Sequence, residues 1–194
     1  MDAEQIAQDL DEVLVTEPQI RQRITELAAE IERDYAAQVA ADEPPLFVGV
    51  LTGAMYFMAD LTRAISFHTE VQWLALSSYG AGTESSGEIK VLKELSVDIR
   101  GRDVVAVEDI IDTGLTLDWL INHLAEAGAR SVRVCALLRK PDAAKVEVPA
   151  HYLGFDIANS FVVGYGLDYA EQYRNLREIA VLHPGAIRET PENQ

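Results

Sequence analysis

Apolar positions along this chain follow two rhythms that alternate. Ile20, Ile24, Leu27, Ile31 and Tyr35 recur at helical spacing and predict a helix over 18–40 with one apolar face. Thr16 stands where a cap belongs, and Pro18 suits the first turn. Residues 2–14 are also read as a helix. A break at 41–45, Ala-Asp-Glu-Pro-Pro, ends this rhythm. Short unbroken apolar runs then predict buried strands at 46–51, 71–77, 104–107 and 132–138. Helices are predicted at 55–65 and 115–127, the second stopped by Gly128. Residues 80–88 are rich in Gly and Ser and predict a mobile loop, its flanks at 74–79 and 89–92 pairing as an extended hairpin. Short strands are expected within 152–163, a short helical or looped segment at 169–174, and a loose polar tail after Pro184. Strands alternating with helices argue for an α/β fold, a mostly parallel sheet with helices on both faces.

Composition narrows the picture. A chain of 194 residues fits one domain, and 48% hydrophobic content is enough for a core without staples. No apolar run approaches a membrane span, and the acidic start Met1-Asp2-Ala3-Glu4 has no signal-peptide pattern. Cys135, the single cysteine, lies in an apolar run and reads as a buried strand residue. That excludes an internal disulfide and suits a reducing cytoplasm. The rival reading, a catalytic thiol, lacks any recognisable paired His. The net charge of −16 and pI of about 4.5 argue against nucleic-acid binding, which rests on neutralising phosphates. The excess acid serves solubility, with a salty habitat as the other source. Any anionic substrate must be met locally, by backbone N–H groups, Mg²⁺ and a few placed cations. His68, His123, His151 and His183 show no metal-ligand spacing, and Trp73 and Trp119 read as packing residues.

The candidate chemistry gathers after the strand at 104–107. Glu108, Asp109 and Asp112 follow it, then Thr113-Gly114-Leu115-Thr116, then an apolar-periodic helix. Ligands of open α/β sheets bind outside the carboxyl ends of strands. At a helix start the N–H groups lack partners and face the positive end of the dipole, which receives a phosphate. Gly114 lets the backbone approach, and the two threonines add hydroxyls. Carboxylates repel a phosphate, so Glu108 and Asp109 suit sugar hydroxyls or Mg²⁺. Asp112, between the acids and the turn, is placed to act as a general base. One acid beside a Thr-Gly turn would read equally well as a cap that complements the dipole; three acids with this turn do not. Leu51-Thr52-Gly53 is a second strand-to-helix turn, able to offer N–H groups to another phosphate.

With these residues in view, 105–116 resembles the phosphoribosyl-pyrophosphate motif of type I phosphoribosyltransferases. The wording Glu-Asp-Ile-Ile-Asp-Thr-Gly is nearest to the hypoxanthine-guanine branch. Three further segments match in order: Ser78-Tyr79 in the mobile loop, 137–141 in the base-recognition strand, and 161–169 in the purine-stacking segment. The resemblance spans about residues 46–182. It implies the type I phosphoribosyltransferase fold, with a core at about 46–145 and a small hood from about 1–40 and 150–182.

The resemblance also implies roles. Thr52 and Gly53 belong to the pyrophosphate loop, which in this family often carries a non-proline cis peptide; many relatives have Lys where Thr52 stands. Glu108, Asp109, Asp112, Thr113, Gly114, Leu115 and Thr116 bind the phosphoribosyl group. Asp112 takes the proton from the base. Lys140, otherwise readable as a solvated strand end, contacts the 6-oxo group and selects oxopurines over adenine. Arg139 departs from some relatives and is read as facing solvent. Phe161 stacks on the base, although it and Val163 also read as ordinary strand core. The backbone of Val162 reads the base edge. Asp168 lies near the 2-amino position or a bound Mg²⁺, so the metal set is Glu108, Asp109 and Asp168. Arg174 binds pyrophosphate. Ser78 and Tyr79 open a water-excluding lid, or else form a surface hairpin.

The implied activity joins hypoxanthine, and guanine as well, to C1 of phosphoribosyl pyrophosphate, with Mg²⁺, in the cytoplasm, as a homodimer or homotetramer. Two alternatives stand beside it. One is a transferase that prefers xanthine or guanine. The other is a regulator that binds the phosphorylated sugar without chemistry, which would call for a basic patch or an added DNA-binding domain.

Overall fold

The computed structural model describes residues 1–78 and 89–187; of Ser77 and Ser78 it describes the backbone. Its centre is a six-stranded sheet in the order β4-β3-β2-β5-β6-β7. These strands are β2 (Leu46–Leu51), β3 (Glu70–Ser78), β4 (Ile89–Lys93), β5 (Asp103–Ile111), β6 (Ser131–Arg139) and β7 (Tyr152–Asp156). All neighbours are parallel except β3 and β4, which form the antiparallel hairpin expected from the flanks of the Gly/Ser-rich loop. The mostly parallel sheet of the sequence reading is therefore present.

Both faces are covered, and so the central strands read as unbroken apolar runs. On one face Val105, Val107, Cys135 and Leu137 pack with Ile20, Ile24, Leu27 and Ile31 of α1 (Glu17–Asp34) and with Phe57 and Leu61 of α3 (Met55–Ala64). On the other, Val104, Ala106 and Val134 pack with Leu117, Leu120 and Leu124 of α4 (Leu115–Glu126). Cys135 is fully buried, and burial holds its thiol far above the ordinary range, so it is inert core rather than a nucleophile. The helix expected over 18–40 is divided: α1 ends at Asp34, Tyr35 departs from helical geometry, and α2 (Ala36–Ala40) follows. Among the described residues no helix is long and apolar enough to cross a membrane.

Two expectations are corrected. Residues 2–14 are not one helix. A 3₁₀ helix (Ala3–Asp9) gives way to β1 (Leu10–Val15), which pairs antiparallel with β9 (Ile179–Leu182). β9 also pairs with β8 (Val162–Val163), forming a separate three-stranded sheet in the order β1-β9-β8. Moreover, β7 belongs to the six-stranded sheet, and α1 packs on that sheet's flank against α3 and β7. Of the stretches expected to build the hood, 10–15, 162–163 and 179–182 form the separate sheet, while 17–34 and 152–156 serve the core.

At the amino end of β5, buried Asp103 accepts from Arg130 at 3.1 and 2.8 Å and from the Ser131 hydroxyl at 2.6 Å. These donors hold its carboxyl below the usual range. A group lowered on folding stabilises above its unfolded pKa and loses that contribution as pH falls through the folded value. Asp103→Ala is expected to cost about 2 kcal/mol near neutrality. The cost should shrink below about pH 4, as measured by denaturant titrations at pH 7 and pH 3. An equal cost at both values would assign the loss to packing.

Candidate active site

The carboxyl ends of β2, β5 and β6 lie along one rim, and Thr52, Gly53, Glu108, Asp109, Asp112 and Lys140 stand at or just past them. β5 runs four residues past the expected end, so Glu108 and Asp109 lie inside the strand, with Glu108 opposite Ala136 of β6. Asp112 and Thr113 then turn into α4. Gly114 takes the left-handed conformation, φ +82°, as the helix N-cap, and no side chain caps it. The first N–H groups of α4, at Leu115 and Thr116, are thus left to a ligand. A side chain at Gly114 would stand 2.3 Å from the Val146 carbonyl. That neighbour is held in turn, because Lys145 and Val146 donate their N–H groups to the Thr113 carbonyl at 2.9 and 3.1 Å. A cavity of about 220 Å³ opens between Glu108, Asp112, Thr113, Gly114 and Thr116. Its floor is a helix start and its wall is carboxylate.

Thr52 and Gly53 join β2 to α3, and the Leu51–Thr52 peptide is cis, in keeping with the resemblance. Thr52 is exposed. Gly53 is pressed from two sides. A Cβ there would lie 1.7 Å from Asp109 Oδ2, and a Cβ on Gly166 would lie 2.1 Å from the Gly53 carbonyl. The loop therefore needs glycine at 53 and is wedged between β5 and the 164–167 turn.

The acid pair is electrostatically loaded. Burial, and then the neighbouring Asp109, push Glu108 well above the usual carboxylate range. Burial also raises Asp109, opposed by the Ile110 N–H that it accepts at 2.9 Å and by the charge of Arg174. Glu108 Oε2 is shut from solvent with no hydrogen-bond partner among the described residues. A buried acceptor in that state fits a hydroxyl donor or a cation. However, among the described residues no three His, Cys, Asp or Glu side chains gather closely enough to hold a metal. Glu108, Asp109 and Asp168 therefore do not by themselves form a self-sufficient cage. That agrees with Mg²⁺ chemistry, in which one or two carboxylates share the ion with substrate phosphates and waters.

Asp168 is held by Arg174, 2.9 Å from its Oδ1, and by the Glu171 N–H, 2.9 Å from its Oδ2. Arg174 also donates to the Gly166 carbonyl at 2.9 Å and to Glu171 at 3.0 Å. Its fork is thereby oriented beside the 164–167 turn. Lys140 is buried just past the end of β6, its side chain 9% exposed, and donates to Asp112 Oδ2 at 3.0 Å. The solvated reading of Lys140 fails here. Arg139 pairs with Asp156 at 2.7 Å on the partly exposed side. Phe161 is 48% exposed, so it is not strand core, and its ring meets Tyr169 edge-on with centroids 5.9 Å apart. Val162 and Val163 are buried, and Val162 shares a cluster with Leu138. Ser78 closes β3. Tyr79 and the expected mobile loop lie outside the described residues.

Sequence reasoning missed two contributors. Val146 braces Gly114 through its backbone, for which the sequence holds no signal. The 164–167 turn braces Gly53, and its Gly-Tyr-Gly wording was the signal available.

Comparison with known proteins matches this geometry. A phosphoribosyl transferase domain model matches residues 12–170. A hypoxanthine-guanine phosphoribosyltransferase of Mycobacterium avium is 52% identical over 179 residues, 91% of this chain and 87% of that protein. One of Bacillus subtilis is 45% identical, covering 91% of this chain and 95% of that protein. The crystal structure of a hypoxanthine phosphoribosyltransferase from Staphylococcus aureus superposes with a TM-score of 0.88 at 40% identity, covering 95% of this chain and 97% of that one. This chain therefore belongs to the phosphoribosyltransferase family and, within it, to the hypoxanthine-guanine phosphoribosyltransferases.

Proposed function

We propose that this protein salvages oxopurines: it transfers the 5-phosphoribosyl group of phosphoribosyl pyrophosphate to hypoxanthine, and also to guanine, releasing pyrophosphate. The observation that carries the reading is the Lys140–Asp112 pair at the lip of the phosphoribosyl cavity. It sets a donor for a ring oxygen beside an acceptor for a ring N–H, and an oxopurine offers both.

In this reading the 5-phosphate sits on the Thr113–Thr116 backbone and hydroxyls. The ribose hydroxyls meet Glu108 and Asp109. The pyrophosphate lies against Thr52-Gly53 and the guanidinium of Arg174. As the C1–oxygen bond to pyrophosphate breaks, positive charge grows on the sugar, and the acid pair below it favours that charge. The base nitrogen forms the new bond to C1, and Asp112 accepts the proton that the base gives up. Phe161 supplies a ring face for the base, and the Val162 backbone meets its edge. Asp168 and the acid pair would hold Mg²⁺ together with substrate oxygens; when bound, the ion offsets charge on the leaving pyrophosphate.

The chain is taken to act as one domain, in the cytoplasm, where so highly charged a sugar substrate is retained. Assembly as a homodimer or homotetramer belongs to the same reading.

An ultraviolet assay with Mg²⁺ and phosphoribosyl pyrophosphate, offering hypoxanthine, guanine, xanthine and adenine in turn, tests it. Turnover of hypoxanthine and not adenine is expected. Lys140→Met should raise the KM for hypoxanthine by roughly 10–100-fold, the range for losing a charged hydrogen bond, and narrow the margin over adenine. Preference for xanthine would instead mark a different oxopurine transferase. Binding of phosphoribosyl pyrophosphate without turnover of any base would mark a regulator.

A further inference from the structure

Residues 164–167 make a two-residue turn: Gly164 and Leu167 exchange backbone hydrogen bonds at 3.0 and 3.1 Å. Both central residues are left-handed, Tyr165 at φ +50° and Gly166 at φ +104°. Turns of this kind take Asn, Asp or Gly at the first central position, because other side chains clash with their own backbone there. A tyrosine so placed must be held by something outside the turn. The holding contact is explicit. Tyr165 is buried, and its hydroxyl donates to Asp60 Oδ2 at 2.6 Å. Asp60 lies on α3, the helix that begins directly after the pyrophosphate loop. Tyr56, one turn earlier on α3, meets the Tyr165 ring with centroids 6.1 Å apart. Burial and the Asp60 carboxylate hold the Tyr165 hydroxyl far above its ordinary range, so it remains a donor throughout the working pH range.

The turn faces the site on its other side. Gly166 sits against the Gly53 carbonyl, and the Gly166 carbonyl accepts from Arg174 at 2.9 Å. Its N–H donates to the Arg174 carbonyl at 2.9 Å. One turn thus touches both pyrophosphate elements, the Gly53 loop and Arg174, and is pinned from behind to the helix that carries the loop.

We propose that Tyr165 and Asp60 are a positioning pair that fixes the spacing between the Gly53 loop and Arg174, and so sets affinity for pyrophosphate and phosphoribosyl pyrophosphate without touching either. The proposal rests on the transferase reading above. A cavity of about 150 Å³ behind the pair, lined by Asp60, Tyr165, Tyr56, Arg21 and Arg177, gives the ring room to drift once the hydroxyl is lost.

The test compares Tyr165→Phe, Asp60→Ala and Asp60→Asn with the unaltered protein. KM for each substrate and kcat are measured, and pyrophosphate binding with Mg²⁺ is followed by calorimetry. Tyr165→Phe and Asp60→Ala are expected to raise KM for phosphoribosyl pyrophosphate and Kd for pyrophosphate on the order of 10-fold. KM for hypoxanthine should hold near its starting value. Asp60→Asn keeps an acceptor for the hydroxyl and should restore most of the affinity. Equal losses toward both substrates, or no loss in Tyr165→Phe, would overturn the pair. If the unaltered protein bound pyrophosphate but turned over no base, the transferase reading would fail, and the calorimetric comparison would still judge the pair. Absence of pyrophosphate binding in the unaltered protein would overturn both.

Discussion

Asp112→Asn is expected to lower kcat by roughly 10²–10⁴-fold, the usual contribution of a general base. The substitution keeps shape and volume. It leaves an amide oxygen for Lys140 Nζ, now 3.0 Å from Asp112 Oδ2. The Asp112 side chain is 47% exposed, so no core contact is lost and the melting temperature should change little. What disappears is the capacity to take a proton. KM for phosphoribosyl pyrophosphate should stay close to its starting value, since the cavity floor belongs to Thr113–Thr116. A variant with unchanged kcat would remove Asp112 from the proton-accepting role and point to solvent in its place.

Gly114→Ala is expected to reduce kcat/KM for phosphoribosyl pyrophosphate by at least about 10²-fold, the effect of a misplacement on the order of 1 Å. Two costs coincide. An alanine at φ +82° is strained, and its Cβ would stand 2.3 Å from the Val146 carbonyl. That oxygen is backbone, fixed by the return of Lys145 and Val146 to Thr113, so the α4 start must move instead. Gly101→Ala provides the control. Its φ is +73°, and nothing lies within 4 Å of the added Cβ. It should cost about 1 kcal/mol of stability and leave kinetics untouched. If both variants lost only stability, the phosphate cradle would not depend on the exact seat of α4.

These two sites show how far the sequence carried. The strand, turn and helix that carry the proposed phosphate cradle were legible because their ingredients are contiguous: an apolar run, acids, Thr-Gly-Leu-Thr, then a helical period. The same is true of β2 and the turn after it. What escaped depends on partners distant along the chain. Residues 10–15 carry acids among their apolar residues and resembled more of a helix; they are a strand because residues 179–182 lie beside them. β9 itself is four residues long, too short for a periodic signal. β5 was expected to end at residue 107, because buried acids break the apolar pattern. It continues to Ile111 because β6 pairs with it that far. Lys140 read alone is a solvated end; only the fold shows it buried against Asp112.

The hood sheet has a thermodynamic consequence of its own. β1 pairs residue 10 with residue 182, and β8 contributes two residues. Closing so long a loop from an unfolded chain is entropically costly, but the cost is largely met once the six-stranded sheet has gathered the ends. The small sheet should therefore form last and open first, as a cooperative unit of lower stability than the core. Phe161 and Val162, proposed above to meet the base, belong to that unit. The Thr113–Thr116 cradle belongs to the core. On the proposed reading the chain should carry two grades of rigidity, a permanent seat for the phosphorylated sugar and a detachable cover for the base. Amide exchange should separate them, with β1 and β9 losing protection well before β5 and β6.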